Sequence, residues 1–216
     1  MFRQILRNFS GSAWSTITGR SLWWHTVAIL ITFVIVTTGL DWTFYEATRS
    51  TIFHPIVWAA GIGGFLLPVV VPLGMYIAGA INRNGPLRHK AMAVASAVIL
   101  ASVLAIMYKI FTGRLPPEFI TSIGTTDISH RFDFGFLRNG IFWGWPSSHT
   151  AVAVAGGVTI FRLFKNTPVR VLSVLYMGIV AVGVAVGFHW LSDVAAGAIF
   201  GTLIGNIVAR EYHSHS

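Results

Sequence analysis

The chain lacks cysteine and carries few charges, and each shortage excludes a class of protein. Without cysteine there is no disulfide, no thiolate zinc site and no cysteine nucleophile, while the redox compartment stays undecided. Charged residues make up 10% of the 216 residues, whereas soluble domains carry about 25%. No long hydrophilic block is present that could fold separately. The sequence therefore predicts one integral-membrane domain over residues 1–216.

Apolar segments dominate the chain, and each is about as long as, or longer than, the roughly 17–25 residues with which a helix crosses a bilayer. They predict an all-α membrane protein, a bundle of six transmembrane helices. The six segments are 21–40, 52–81, 91–108, 147–163, 171–188 and 190–209. Residues 1–20 begin with apolar side chains at helical spacing, which predicts a short interfacial helix, although a frayed start fits equally well.

The net charge of +8 does not indicate nucleic-acid binding, because the basic residues punctuate the apolar segments and form no single patch. With the amino terminus in the cytoplasm, ten of the fifteen basic residues fall inside. This bias predicts a multi-pass cell-membrane protein with both termini cytoplasmic. Residues 109–147 then form an extracytoplasmic loop, membrane lipids surround the bundle, and the oligomeric state stays open.

The first of two polar clusters that interrupt the apolar chain spans residues 189–193. On a helix, His189 and Asp193 are neighbours, so the carboxylate can accept a hydrogen bond from one imidazole nitrogen. The other nitrogen then keeps its lone pair, as a nucleophile or base requires. An interfacial histidine beside a structural aspartate explains the same spacing, so this pair alone does not decide the function.

The second cluster, residues 146–150, contains a proline and two serines, which favour the first turn of a helix. The free N–H groups of that turn could bind an anion. Ser147, Ser148 and His149 would then lie on the same membrane face as His189. Lys109 borders this face, as does Arg114; together they could hold a phosphate, although each alone fits an interfacial anchor.

Small residues in the last apolar segment predict close helix packing. Gly197, Gly201 and Gly205 repeat every four residues, which gives a face that a neighbouring helix can approach. His189 and Asp193 continue the same row toward the outer end. Asp193 is therefore predicted to point into the bundle.

Taken together, these residues resemble the type 2 phosphatidic acid phosphatase superfamily, which shares its fold with bacterial acid phosphatases and vanadium haloperoxidases. Its motifs are Lys-x6-Arg-Pro, Pro-Ser-Gly-His and Ser-Arg-x5-His-x3-Asp. Lys109 and the His189–Asp193 spacing match them, and the Pro-Ser-Ser-His sequence at 146–149 resembles the second motif with Ser148 in the glycine place.

Two family arginines are missing from their usual places. Their positions fall on Pro116 and Gly183. Arg114, Arg131 or Arg138, all in the predicted loop, could compensate.

The resemblance implies hydrolysis of a lipid phosphate or pyrophosphate at the outer membrane face, with no metal and no cofactor. His189 would attack phosphorus and form a phosphohistidine, while Asp193 orients it. His149 would protonate the leaving alcohol and then activate water. The phosphate oxygens would be stabilised by Lys109, Arg114, Ser147 and Ser148.

Three other functions remain open at this point. The chain could transfer the phosphoryl group to an acceptor other than water, since that reaction uses the same intermediate. Without the two arginines it could bind or transport a phospholipid without cleaving it. Finally, it could be a rhomboid-like intramembrane serine protease, although Gly144-Trp145-Pro146-Ser147 matches the surroundings of such a serine poorly.

Overall fold

The computed structural model describes residues 2–117, 127–138 and 140–213, and these residues are mostly helical. Eight α-helices, one 3₁₀ turn and two very short strands occur in these ranges. In chain order they are α1 (Phe2–Thr16), α2 (Ser21–Thr37), α3 (Leu40–Thr48), the 3₁₀ turn Thr51–Phe53, α4 (His54–Ile81), α5 (Gly85–Lys109), β1 (Thr112–Gly113), β2 (Asp133–Phe134), α6 (Ser148–Leu163), α7 (Thr167–Gly187) and α8 (Leu191–His213).

The centre of the bundle is the contact between α6 and α8, and glycines make it close. A Cβ atom on Gly197 would lie 2.7 Å from the backbone oxygen of Ser147, and one on Gly201 would lie 2.6 Å from that of Ala151. Such distances leave room for hydrogen only, so the predicted small-residue face is confirmed. This packing fixes the start of α6 against the start of α8.

A second close contact joins α4 and α7. A Cβ atom on Gly183 would lie 2.4 Å from the Cβ of Ala60 and 2.5 Å from the backbone oxygen of Ile56. Gly187 is equally confined, because a Cβ atom there would lie 2.3 Å from a methyl carbon of Val57. No larger side chain fits at Gly183 without separating the two helices.

The predicted count of six transmembrane helices is confirmed only in part. Among the described residues, α4, α5, α7 and α8 are long and apolar enough to cross a membrane. Helices α1 and α2, bent by 52° at their junction, give a fifth crossing if they count as one. Because α2 has 17 residues and α6 has 16, each is shorter than the roughly 20 residues of a full crossing.

The predicted helix at the amino terminus is present as α1, which packs against α8. The face of α1 that it buries is polar and contains Asn8, Ser12 and Thr16. Its outward face presents Leu6 and Trp14, the latter 68% exposed. An apolar outward face suits contact with lipid, and the interfacial position of α1 stays a prediction.

The segment between α5 and α6 is held by few regular elements. Thr112–Gly113 pairs antiparallel with Asp133–Phe134. Leu137 donates its backbone N–H to the oxygen of Ile110 at 2.7 Å, which continues the pairing beyond the strands. Residues 118–126 and 139 of the predicted extracytoplasmic loop lie outside the described residues.

Candidate active site

One cavity, of about 570 Å³, brings together four of the predicted site residues. Lys109 from the end of α5, Ser148 and His149 from the start of α6, and His189 from the turn before α8 all line it. The three segments are far apart in the chain, and the close α6–α8 packing brings two of them together. Both histidines therefore face the same space.

His189 and Asp193 form the predicted hydrogen-bonded pair. His189 Nδ1 lies 3.2 Å from Asp193 Oδ2, and both residues are buried. With the Nδ1 proton donated to the carboxylate, Nε2 keeps its lone pair. Burial is the largest influence on this imidazole and lowers its pKa; the charges of Lys109 and Arg114 also lower it, while Asp193 opposes them. His189 is therefore neutral at neutral pH.

The start of α6 holds His149 beside this pair. Ser147 precedes the helix as its N-cap, where its side-chain oxygen accepts from the Thr150 N–H at 3.4 Å. Ser147 also donates its own N–H to the backbone oxygen of Asp193 at 3.0 Å. The ring of His149 stacks on Phe188, with centroids 6.2 Å apart.

Ser147 was predicted to contact phosphate, and its position does not support that role. Its side chain is fully buried, and it is not among the described residues that line the cavity. The hydroxyl serves as a helix cap instead. Ser148, the next residue, does line the cavity.

Lys109 provides a positive charge inside the cavity. Its ammonium group donates to the backbone oxygen of Phe142 at 2.8 Å, and only 3% of the residue is exposed. Gly144 has a φ of 151°, a backbone conformation that glycine adopts readily, and a Cβ atom there would lie 2.8 Å from the backbone oxygen of Thr112. This close contact holds the loop before α6 over the end of α5, so that Lys109 is covered.

Arg114 was predicted to contact phosphate, and the structure gives it a different position. Its guanidinium is fully buried and forms ion pairs with Asp193 at 2.5 Å and with Asp41 at 2.7 Å. It also donates to Ser192 Oγ at 2.8 Å and, from two nitrogens, to the backbone oxygen of Ser129. Arg114 is not among the described residues that line the cavity. Its donors go to protein groups, so it lies behind the histidine–aspartate pair.

Asp41 is a site residue that the sequence prediction missed. It lies in the first turn of α3, which begins after Gly39 with a φ of 73°. The side chain is fully buried beside Arg114. A signal was present, because an acidic residue at the end of an apolar segment is costly unless it is paired and used.

The remaining loop arginines do not replace the missing family residues. Arg131 and Arg138 are exposed, and neither is among the described residues that line the cavity. At Gly183, Ala60 and Ile56 already fill the space that a side chain would need. Within the described part of the chain, Lys109 is therefore the cation that lines the cavity.

Most of the remaining cavity wall is apolar, and α4 and α5 provide a large part of it. Phe65, Pro68 and Val69 come from α4, and Val98 and Ile106 from α5. A second cavity of about 400 Å³ shares Pro68 and Val98 and continues along α6 and α7. The polar groups thus lie at one end of an apolar groove.

No set of three or more histidine, aspartate or glutamate side chains in residues 2–117, 127–138 and 140–213 is arranged to hold a metal ion. The polar side chains that line the cavity include two imidazoles, the ammonium group of Lys109 and the hydroxyls of Ser102 and Ser148.

Residues 90–215 match the family model of the PAP2 superfamily. The fold is similar to that of a transmembrane PAP2-type phosphatidylglycerolphosphate phosphatase from Bacillus subtilis, with a TM-score of 0.59 and 17% sequence identity. That match covers 90% of this chain and 96% of the other. No curated protein sequence matches the chain.

Proposed function

Because the chain belongs to the PAP2 superfamily and is a phosphatase, we propose that it hydrolyses a lipid phosphate through a phosphohistidine on His189. The match of residues 90–215 to the family model confirms the predicted family membership. The observation that carries the proposal is the single cavity lined by His149, His189 and Lys109 at the polar end of an apolar groove.

In the first step, Nε2 of His189 attacks phosphorus and forms a P–N bond. The bond from phosphorus to the ester oxygen breaks, and that oxygen takes a proton from His149 and leaves as an alcohol. Asp193 accepts the Nδ1 proton in a hydrogen bond and offsets the positive charge that develops on the ring. Lys109 and the Ser148 hydroxyl stabilise the charge on the phosphoryl oxygens.

In the second step, His149 takes a proton from water, and the resulting hydroxide attacks phosphorus. The P–N bond breaks, the electron pair returns to Nε2, and inorganic phosphate leaves. His149 is protonated again and His189 is neutral, so the site is ready for the next substrate. Each histidine must therefore begin in the opposite protonation state from the other.

The apolar groove supports a lipid as the substrate. Its walls of Phe65, Val69 and Val98 suit an acyl or prenyl chain, while the polar end suits a phosphate head group. Because the charge distribution favours an extracytoplasmic position for residues 109–147, we place the reaction at the outer membrane face.

Of the alternatives, the protease is the least supported, since Ser147 has a buried hydroxyl that caps α6. Non-catalytic binding is disfavoured by membership of a phosphatase family. Transfer to another acceptor uses the same first step, and measuring free phosphate separates it from hydrolysis.

A panel of lipid phosphates tests the proposal. Purified protein in detergent is incubated with phosphatidate, phosphatidylglycerophosphate, a polyprenyl pyrophosphate and lipid A, with EDTA present throughout. We expect release of inorganic phosphate from at least one of them. His149→Ala and His189→Ala should each remove that activity.

His130→Ala is the matched control, since this histidine is exposed and is not among the described residues that line the cavity. It should retain the wild-type rate. Phosphate release that persists in both His149→Ala and His189→Ala would contradict the assignment. Appearance of the substrate's phosphoryl group in a new ester, without free phosphate, would identify a transferase.

A further inference from the structure

We propose that Asp41 and Arg114 are positioning residues, which hold the Asp193 carboxylate so that it fixes the ring of His189. This inference rests on the proposed function, because it assigns the two residues to the same reaction. It adds to the family motifs a carboxylate from α3, a helix that lies outside the matched residues 90–215.

Arg114 bridges two carboxylates on different helices. One terminal nitrogen, Nη1, donates to Asp193 Oδ1 at 2.5 Å, and the other, Nη2, donates to Asp41 Oδ2 at 2.7 Å. A planar guanidinium presents its donors in a fixed fork, so the two carboxylates are held at a set separation. Lysine cannot reproduce this, because its charge sits on a single nitrogen.

The two oxygens of Asp193 are divided between two partners. Oδ1 accepts from Arg114, whereas Oδ2 is the atom beside His189 Nδ1. The arginine therefore fixes the rotation of the carboxylate, and the carboxylate in turn fixes the ring. If Arg114 moved, Asp193 could turn either oxygen toward the histidine or away from it.

Asp41 joins this arrangement to the backbone of α8. Its Oδ1 accepts from the Ser192 N–H at 2.8 Å, and its Oδ2 accepts from the Ser192 hydroxyl at 2.6 Å. Ser192 immediately precedes Asp193, and its hydroxyl also accepts from Arg114. One carboxylate from α3 thus holds both the arginine and the first turn of α8.

The surroundings keep water away from these charges. The guanidinium carbon of Arg114 lies 4.4 Å from the ring centroid of Phe132 and 5.6 Å from that of Trp190. In a dry site an ion pair is far stronger than in water, but removing one partner leaves the other buried and unpaired. The network should therefore be sensitive to a single change of charge.

The test is Asp41→Asn, compared with Glu46→Gln, which removes the same charge from an exposed position on the same helix. Both are assayed in detergent micelles on the lipid phosphate of the panel that the wild-type protein hydrolyses fastest. We expect Asp41→Asn to lower kcat by about 10- to 100-fold, since small misplacement of a reacting group costs this much. The KM of Asp41→Asn should stay close to that of wild type, because Asp41 is not among the described residues that line the cavity. Glu46→Gln should leave both constants unchanged.

A double-mutant cycle separates positioning from general damage. If Asp41 acts through Asp193, the double variant Asp41→Asn/Asp193→Asn should be no slower than Asp193→Asn alone. Independent effects would multiply instead. Arg114→Lys keeps the charge but loses the fork, and it should show the same kcat loss with an unchanged KM.

Ser192→Ala keeps the inference testable if Asp41→Asn does not fold, as judged by gel filtration and circular dichroism. It removes one hydroxyl and should lower kcat by a few-fold at constant KM. Wild-type kcat in the folded variants, a loss confined to KM, or multiplicative losses in the cycle would overturn the inference. Wild type that releases no phosphate from any of the four lipid phosphates of the panel would instead overturn the proposed function.

Discussion

Enlarging Gly183 by one methyl group should destabilise the protein, and the size of the effect follows from the α4–α7 contact. The added Cβ would lie 2.4 Å from the Ala60 Cβ and 2.5 Å from the Ile56 oxygen, so one helix must move. Overpacking of this kind costs about 1–3 kcal/mol. For a chain of this size each kcal/mol lowers Tm by roughly 2–4 °C. The Tm of Gly183→Ala should therefore lie about 2–12 °C below that of an alanine variant at an unconfined glycine of the same helix, which has the same gain in helix propensity.

The assay is thermal unfolding in detergent at one fixed scan rate, with Gly178→Ala as the matched control. Gly178 lies on the same helix, and a Cβ there would meet nothing within 4 Å. Because alanine is the better helix former by about 1 kcal/mol, Gly178→Ala should be neutral or stabilising. Ala60→Gly should rescue Gly183→Ala only in part, since the Ile56 oxygen remains.

The same close contact explains why position 183 does not carry the arginine found there in the family motif. If a methyl group already separates α4 from α7, Gly183→Arg cannot restore the phosphate contact without breaking the bundle. A Gly183→Ala variant as stable as Gly178→Ala would refute this explanation.

Three further predictions concern the cavity. Because burial lowers the pKa of His189, the acidic limb of the pH profile of kcat/KM should have its midpoint below pH 6.5. A midpoint above pH 7 would contradict this. Below pH 6.5 the unfolded chain binds the proton more tightly, so stability should also fall as the pH drops. Lys109→Met should lower kcat/KM by about 10²–10³-fold; a loss under 10-fold would exclude a role in charge stabilisation. Val98→Trp should raise KM for long-chain phosphatidate but leave dioctanoyl phosphatidate less affected, and equal effects would argue against an acyl chain in the groove.

The helices were largely predictable, because hydrophobic length and charge placement are local properties of the sequence. The glycine row at 197, 201 and 205 correctly predicted a close helix contact. The number of membrane crossings was less predictable. Apolar composition predicted the limits of α6 to within one residue, but it does not reveal that α1 and α2 meet at a bend.

The site was predictable where its residues are close together in the sequence. The spacing of His189 and Asp193 determines their contact, and it was found. Arg114 was placed correctly near the site but assigned the wrong partner, since spacing in a loop does not determine where a side chain points. Asp41 was missed because its contact with Arg114 joins residues 73 positions apart.

Trapping the covalent intermediate tests directly whether His189 becomes phosphorylated during the reaction. Protein is mixed with ³²P-labelled phosphatidate, quenched in alkali to preserve phosphohistidine, digested and sequenced by mass spectrometry. We expect the label on His189, with none in His189→Ala, while His149→Ala is expected to retain any label that forms. Turnover without labelled His189, or label on Ser148 instead, would contradict the central claim.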